Sequence, residues 1–409
     1  MYRFDPEHDG ATPEAVYPPL TPKWNFTTDT RPLVAASVSS APSVAAGVVY
    51  FGSENGNMYA LDASTGALKW NYTTGGDFLN SAPAVAGGLV YVGNDKVYAF
   101  DALTGAVKWS SLTGVESSPV VSGKTVYVGS YDSHVYALDA VTGALKWAYL
   151  TVNMVINSPA ILGGLVYVSV TYATGKVYAL NATSGALVWT FNYTSNPMTS
   201  GVGFSGPAAS GHFVYVGGAD GNMYALNATT GTVIWSHSIT SAESSDPAVS
   251  GGLVYVVSYD GKVNALNART GELVWSYDVP HFGFEYPPTV SGDILYVSSK
   301  NLQLYALNAT NGAFIWSGTV GRIHSPVVSG GFLYLSSEDN VVYALSGQVS
   351  PLTTVNATTS IPLTASTVTL TTVTPLSYTS LATPILLGVL VTVAIVYLVA
   401  KYRRRGLIN

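Results

Sequence analysis

Eight tryptophans stand 38 to 46 residues apart along 409 residues: Trp24, Trp70, Trp109, Trp147, Trp189, Trp235, Trp275 and Trp316. Self-similarity at that period means one supersecondary unit stacked repeatedly, so the fold is read from the unit. The unit runs Ser-x-Pro, a Gly-rich turn, an apolar run such as Leu-Val-Tyr-Val, a polar turn, Val-Tyr-Ala-Leu, then Asp-Ala-x-Thr-Gly and a run ending in Trp. Residues 116–147 show it whole. Runs of four to six Val, Tyr, Leu and Ile between Gly, Asp and Ser turns are short antiparallel strands. Asp220-Gly221 and Asp260-Gly261 supply hairpin turns. Four such strands per unit, repeated, predict a β-propeller.

The strand around Tyr59, Tyr98, Tyr136, Tyr178, Tyr224, Asn264, Tyr305 and Tyr343 occurs eight times, and all but the last copy run on to Thr-Gly-x-x-x-Trp or a near match. The last breaks at Ser346-Gly347, and Trp24 has no such strand before it. The segment Lys23–Thr27 is therefore expected to complete the blade of residues 326–345, so that no orphan edge remains. The fold class is all-β, an eight-bladed β-propeller closed by the N-terminal strand. Gly66, Gly105, Gly143, Gly185, Gly231, Gly271 and Gly312 are expected to be left-handed. The Asp or Asn four residues earlier is expected to cap each turn. The tryptophans are expected to pack flat on the neighbouring blade.

The stretch Ala60–Trp70 resembles the tryptophan-docking repeat of the PQQ-like (quinoprotein-type, BamB-like) β-propellers, and the resemblance spans residues 20–346. Phe4-Asp5-Pro6-Glu7-His8-Asp9-Gly10 resembles the opening of secreted members. One branch of that family implies dehydrogenases with PQQ and Ca²⁺ on the propeller axis. The other implies a cofactor-free scaffold that binds other proteins. The blades are near minimal length, without the dehydrogenases' large insertions, and with no cysteine the chain cannot form the disulfide that covers the quinone in the alcohol dehydrogenases. The expectation is a non-enzymatic binding propeller with no cofactor, engaging a protein or glycan at one face. The alternative is a membrane-bound PQQ- and Ca²⁺-dependent oxidoreductase.

The loops before each Ser-x-Pro carry Asn80, Glu116, Asn157, Asp246, Glu285 and His324, with Arg322 close by. Glu116, Asn157, Asp246, Glu285 and His324 form a hypothetical axial funnel that could hold a cofactor, and its carboxylates suit a hard cation. The bland alternative is a solvated, polar funnel mouth. Six scattered histidines show no zinc-ligand spacing, so no metal site is expected. Charged residues are only 10% of the chain and the net charge is −6, without a basic stripe, which argues against nucleic acid.

The repeat ends near residue 346. Residues 347–380 are an uncharged Thr/Ser/Pro-rich linker, able to reach about 100 Å if extended. Residues 381–400 are expected to be one transmembrane helix, and 401–409 a basic cytoplasmic tail, Lys401-Tyr402-Arg403-Arg404-Arg405 fitting the positive-inside rule. That topology puts the propeller outside the plasma membrane on a stalk, preceded by a lead segment, residues 1–19. Seven Asn-x-Thr sequons agree with it: Asn25, Asn71, Asn181, Asn192, Asn227, Asn308 and Asn356. Three of them also fill the turn-capping position. Met1 stands at the head of the secreted-type opening, so a signal segment upstream is expected; if Met1 is the true start, the alternative is a tail-anchored protein facing the cytoplasm. The expected setting is a prokaryotic, archaeal-type cell surface, with a surface-layer association as a further partner.

Overall fold

The computed structural model describes residues 5, 10–29, 37–75, 79–111, 114–115, 117–170, 175–193, 205–218, 220–239, 245–258, 260–279 and 286–349. The stalk beyond Val349, the expected membrane helix and the basic tail lie outside the described residues. Among the described residues no helix is long and apolar enough to cross a membrane.

Eight antiparallel sheets follow one another along the chain. Blade 1 comprises strands Ser43–Ala45, Val48–Gly52, Asn57–Asp62 and Leu68–Thr73, and blades 2 to 7 repeat the pattern through Phe314–Thr319. Within a blade the first strand, A, lies against the A strands of neighbouring blades, so the A strands ring the axis. Strands B and C are buried, and D forms the rim. Successive strands alternate in direction. The loops between blades and the B–C turns therefore share one face, here the axial face, and the A–B and C–D turns share the other. Hydrogen bonds join the first set directly, as from Glu338 N to Arg322 O (2.9 Å) and from Val155 N to Ser130 O (3.0 Å).

Each joint between blades uses the repeat motif. The Thr-Gly glycines from Gly66 to Gly312 have φ between +71° and +73°. The Asp or Asn Oδ1 accepts the N–H groups two and three residues on, at 3.0 and 2.9 Å for Asn181. A tryptophan from the preceding blade lies on the bare Cα: a Cβ on Gly185 would sit 2.7 Å from Trp147 Cδ2. The indole Nε1 of Trp147 donates to Ala182 O at 2.9 Å, and Tyr127 Oη donates to the same carbonyl at 3.0 Å. The pair recurs on Ala63, Ala102, Ala140, Ala228 and Ala268. Two donors on one carbonyl satisfy both lone pairs inside an otherwise apolar interface. Burial pushes the phenol of Tyr91 up to about 12, so these tyrosines remain donors. A bulge in the C–D pairing, between Ala179 and Leu180 in blade 4, leaves the two residues before the tryptophan both facing outward.

Seven tryptophans dock in this way. Trp316 does not, because blade 8 has no C–D hairpin. Its outer strand is β2 (Val16–Thr27), paired with Val341–Val349 in the register Trp24↔Ala344 and Thr27↔Val341. N-terminal closure of the ring thus matches the expectation. The strand begins at Val16 rather than near Lys23, and its partner continues past Leu345. Those extra residues replace the missing joint. Val16 and Leu20 pack with Tyr296, Leu333 and the half-buried Trp316, and Tyr296 Oη donates to Val16 O in place of the absent alanine carbonyl. Before them β1 (Ala11–Thr12) pairs in parallel with the A strand of blade 7, adding a fifth strand on its axis side.

Candidate functional site

The axial face is organised by the Ser-x-Pro elements. Aligned on the proline, the residue two before it is Ser40, Ser81, Ser117, Asn157, Ser205, Ser245, Tyr286 and His324 in blades 1 to 8. In the first five this side chain bonds a residue at the end of strand B, twelve residues on. Ser40, Ser81, Ser117 and Ser205 accept the backbone N–H of Gly52, Gly93, Gly129 and Gly217. Asn157 Nδ2 donates to Ser169 Oγ at 3.0 Å. A Cβ on Gly129 would sit 2.4 Å from Val155 in the following loop, which explains the glycine. Where serine replaces it, the hydroxyl bonds the next loop instead: Ser169 donates to Ser205 O (3.0 Å) and Ser336 to Ser40 O (2.7 Å).

Three of the five funnel residues expected from the sequence fall within this framework. Asn157 is one of the clamps. Asp246 stands one position later in its element, and its carboxylate accepts Gly206 N of the preceding blade, as Ser118 Oγ accepts Ala82 N. His324 is buried, at 7% exposure, rather than solvated. Glu116 and Glu285 lie outside the described residues; Asn80 is exposed. The five were chosen by side-chain chemistry and occupy three different registers relative to the proline. Among the described residues no group of three His, Asp or Glu side chains could hold a metal ion. Of the three that are described, Asn157 and Asp246 are engaged with the propeller's own framework and His324 is buried.

In blade 6 the Ser245 hydroxyl donates to Asp246 O instead, and in blades 7 and 8 the serine itself is replaced. Tyr286 and His324 replace the serine, and their rings meet at 4.2 Å between centroids, tilted by 51°. Tyr286 Oη donates to one Glu338 oxygen (3.0 Å) and Arg322 Nη1 to the other (2.9 Å). Burial lowers the His324 pKa to about 4 against an opposing pull from Glu338, so the imidazole is neutral at pH 7. Its Nε2 has no partner. Ser298 is the counterpart of Ser169 and Ser336, yet its buried Oγ also has no partner. Tyr286, Ser298, Ser299, Lys300, Arg322 and Ile323 line a small open recess at this seam. The sequence does carry a signal for it: alignment on the eight prolines exposes the two positions that are not Ser or Asn.

The repeat and its docking geometry correspond to a known family. A family model described as outer membrane protein assembly factor BamB (PQQ_2) matches residues 21–120, 94–244, 173–283 and 260–350. The chain belongs to this PQQ-like, BamB-type family. Among solved structures, BamB from Moraxella catarrhalis is 22% identical with a TM-score of 0.64, covering 80% of this chain and 99% of its own. Quinohemoprotein alcohol dehydrogenase ADHIIG from Pseudomonas putida HK5 is 17% identical (TM-score 0.69), covering 83% of this chain and 79% of its own. A europium-containing methanol dehydrogenase is 15% identical (TM-score 0.67), covering 82% and 88%. At these identities the likeness is one of fold. No curated protein matches the chain.

Proposed function

We propose that this protein is a non-enzymatic binding propeller that presents its axial face to a protein partner, held outside the plasma membrane on its Thr/Ser-rich stalk by one C-terminal helix. The observation that carries the reading is the axial ring itself. Its inward polar side chains in blades 1 to 5 hold the propeller's own backbone and neighbouring loops, leaving a rigid platform whose loops are free to vary. Membership of a family described by an assembly factor supports the same reading.

The sequons support exterior display. Asn25, Asn71 and Asn192 are exposed on rim strands, and Asn181, Asn227 and Asn308 sit at C–D turns. In those turns Oδ1 caps the backbone while Nδ2 takes no part in the cap. Asn25 and Asn71 lie within rim strands and Asn181, Asn227 and Asn308 on the opposite face, so glycans at these five would leave the axial face bare.

The absence of cysteine makes the test direct, because any introduced thiol is unique. Single cysteines at Tyr131 and Asp260, in axial-face turns, and at Leu103 and Val141, in turns of the opposite face, would each carry a photo-cross-linker on intact cells. Discrete adducts from the axial pair alone are expected. Adducts from both pairs equally, or from neither, would refute the reading. In parallel, PQQ with Ca²⁺ should leave the melting temperature unchanged; a rise requiring both would make the protein a quinoprotein.

A further inference from the structure

We propose that Asn181, Asn227 and Asn308 each carry an N-linked glycan whose first sugar lies on the apolar residue seven positions on, Val188, Ile234 or Ile315. The seven C–D turns share one geometry but not one chemistry. In blades 1 to 3 the cap is an aspartate. One oxygen of Asp62, Asp101 and Asp139 accepts the backbone N–H groups of the turn. The other pairs with the lysine seven residues on, Lys69, Lys108 or Lys146, at 3.1–3.3 Å. In blades 4, 5 and 7 the cap is an asparagine. Its Oδ1 accepts the same two N–H groups at 2.9–3.1 Å, so Nδ2 takes the place of the second carboxylate oxygen. No described residue accepts a hydrogen bond from it. In place of the lysine stand Val188, Ile234 and Ile315, which are 47%, 46% and 42% exposed.

Three features coincide in those blades and in no other blade. The cap is an amide, a threonine follows two residues on (Thr183, Thr229 and Thr310), and exposed hydrocarbon stands seven residues on. Asn-x-Thr is the acceptor sequence for N-glycosylation in secreted chains, so this inference rests on the exterior placement proposed above. Aspartate caps a turn as well as asparagine does, so capping alone does not select the amide. Only the amide can form the N-glycosyl bond. Nδ2 attacks the anomeric carbon of a glycosyl phosphate donor and the N–C bond forms as the carbon–oxygen bond to phosphate breaks. The phosphate leaves with that electron pair, and one Nδ2 proton passes to a base. Oδ1 keeps its lone pairs, so the cap survives the modification. A pyranose ring presents C–H groups on one face, and laying them on valine or isoleucine removes apolar surface from water. Blade 6 is the internal control: Asn267 and Val274 keep the amide and the hydrocarbon, but Arg269 stands where the threonine would be.

The test is mass spectrometry of peptides from the full-length protein isolated from its own cells, before and after trifluoromethanesulfonic acid, which strips glycans down to the asparagine-linked sugar. Sugar mass is expected on the peptides of Asn181, Asn227 and Asn308 and not on that of Asn267. Thr183→Ser should keep the mass at Asn181. Thr183→Ala should remove it while leaving the cap, whose donor is the backbone N–H. Arg269→Thr should add sugar mass at Asn267. Thr183→Ala should also lower the melting temperature by about 1–2 °C, and by less than half as much when made in Val188→Ser protein. Bare peptides at the three turns overturn the proposal, and an equal loss in both backgrounds overturns the seating of the sugar on Val188. Sugars at Asn25 and Asn71 with the three turns bare overturn it while leaving exterior placement standing. Sugars at the three turns together with failed axial cross-linking support it and refute the binding-face reading alone.

Discussion

Substituting Gly185 with alanine tests the joint between blades directly, with Gly164→Ala as its matched control. Both residues are left-handed, at φ +71° and +79°, so both variants bear the backbone cost of an L residue there, about 1–2 kcal/mol. They differ in surroundings. Nothing lies within 4 Å of a Cβ at Gly164, whereas a Cβ at Gly185 meets Trp147 Cδ2 at 2.7 Å and Cε3 at 2.8 Å. Carbon atoms rest about 3.5–4.0 Å apart, so the indole must retreat by nearly 1 Å. That movement takes the 2.9 Å bond from Trp147 Nε1 to Ala182 O out of hydrogen-bonding range. Loss of the bond costs about 1 kcal/mol and the overpacking about 1–3 kcal/mol. Gly185→Ala should therefore lose about 3–6 kcal/mol in all. For a cooperative unit of ~330 residues this corresponds to about 4–9 °C in melting temperature, against about 1–3 °C for the control. Calorimetry on the two variants is the assay. Equal losses would refute the argument that the glycine is there for the tryptophan.

Trp147→Ala should cost about 3–5 kcal/mol and Trp316→Ala clearly less, since Trp316 is only half-buried and reaches no alanine carbonyl; urea denaturation of the two compares them. His324 has a folded pKa of about 4 against 6.5 unfolded, so the stability tied to it is complete above pH 6.5 and is lost as pH falls from 6.5 to 4, by roughly 3 kcal/mol. His324→Asn should remove that component of the pH slope, and an unchanged slope between pH 7 and 4 would contradict the burial of the imidazole. Ser298→Ala should stabilise by about 1 kcal/mol because it removes an unpaired buried hydroxyl, while Ser336→Ala should destabilise by a similar amount because its hydroxyl bonds Ser40 O. Thermal denaturation of both serine variants gives the comparison, and the same sign for both would count against it.

The joints between blades were legible in the sequence because each is made by residues close together in the chain, with one tryptophan reaching across. Asp62, Gly66 and Trp70 recur at fixed spacing, and spacing alone implies a turn, a cap and a dock. The seam was not legible in the same way. Val16 substitutes for an alanine carbonyl through its backbone, and a backbone acceptor leaves no mark on residue type. The funnel residues were sought as carboxylates, amides and histidine, and side-chain type does not report register. Asn157 and Asp246 bond their own framework, while Tyr286, which is neither a carboxylate, an amide nor a histidine and was not sought, packs on His324.

A ring of equivalent joints has no preferred location for a site, so departures from equivalence carry information. Blades 7 and 8 depart in several independent ways. The C–D hairpin is replaced by the chain's two ends, the tryptophan dock is absent, and a fifth strand joins the axis side of blade 7. The first two follow from closing a ring with an N-terminal strand. Closure does not explain the loss of the serine clamps, because Tyr286 and His324 lie in loops that closure leaves intact, and Ser336 in blade 8 keeps its bond to blade 1. Nor does closure require Ser298 to remain unpaired, when glycine serves at the same position in four other blades. An unpaired buried hydroxyl and an unpaired buried imidazole each cost about 1–3 kcal/mol, and both costs fall beside the same recess.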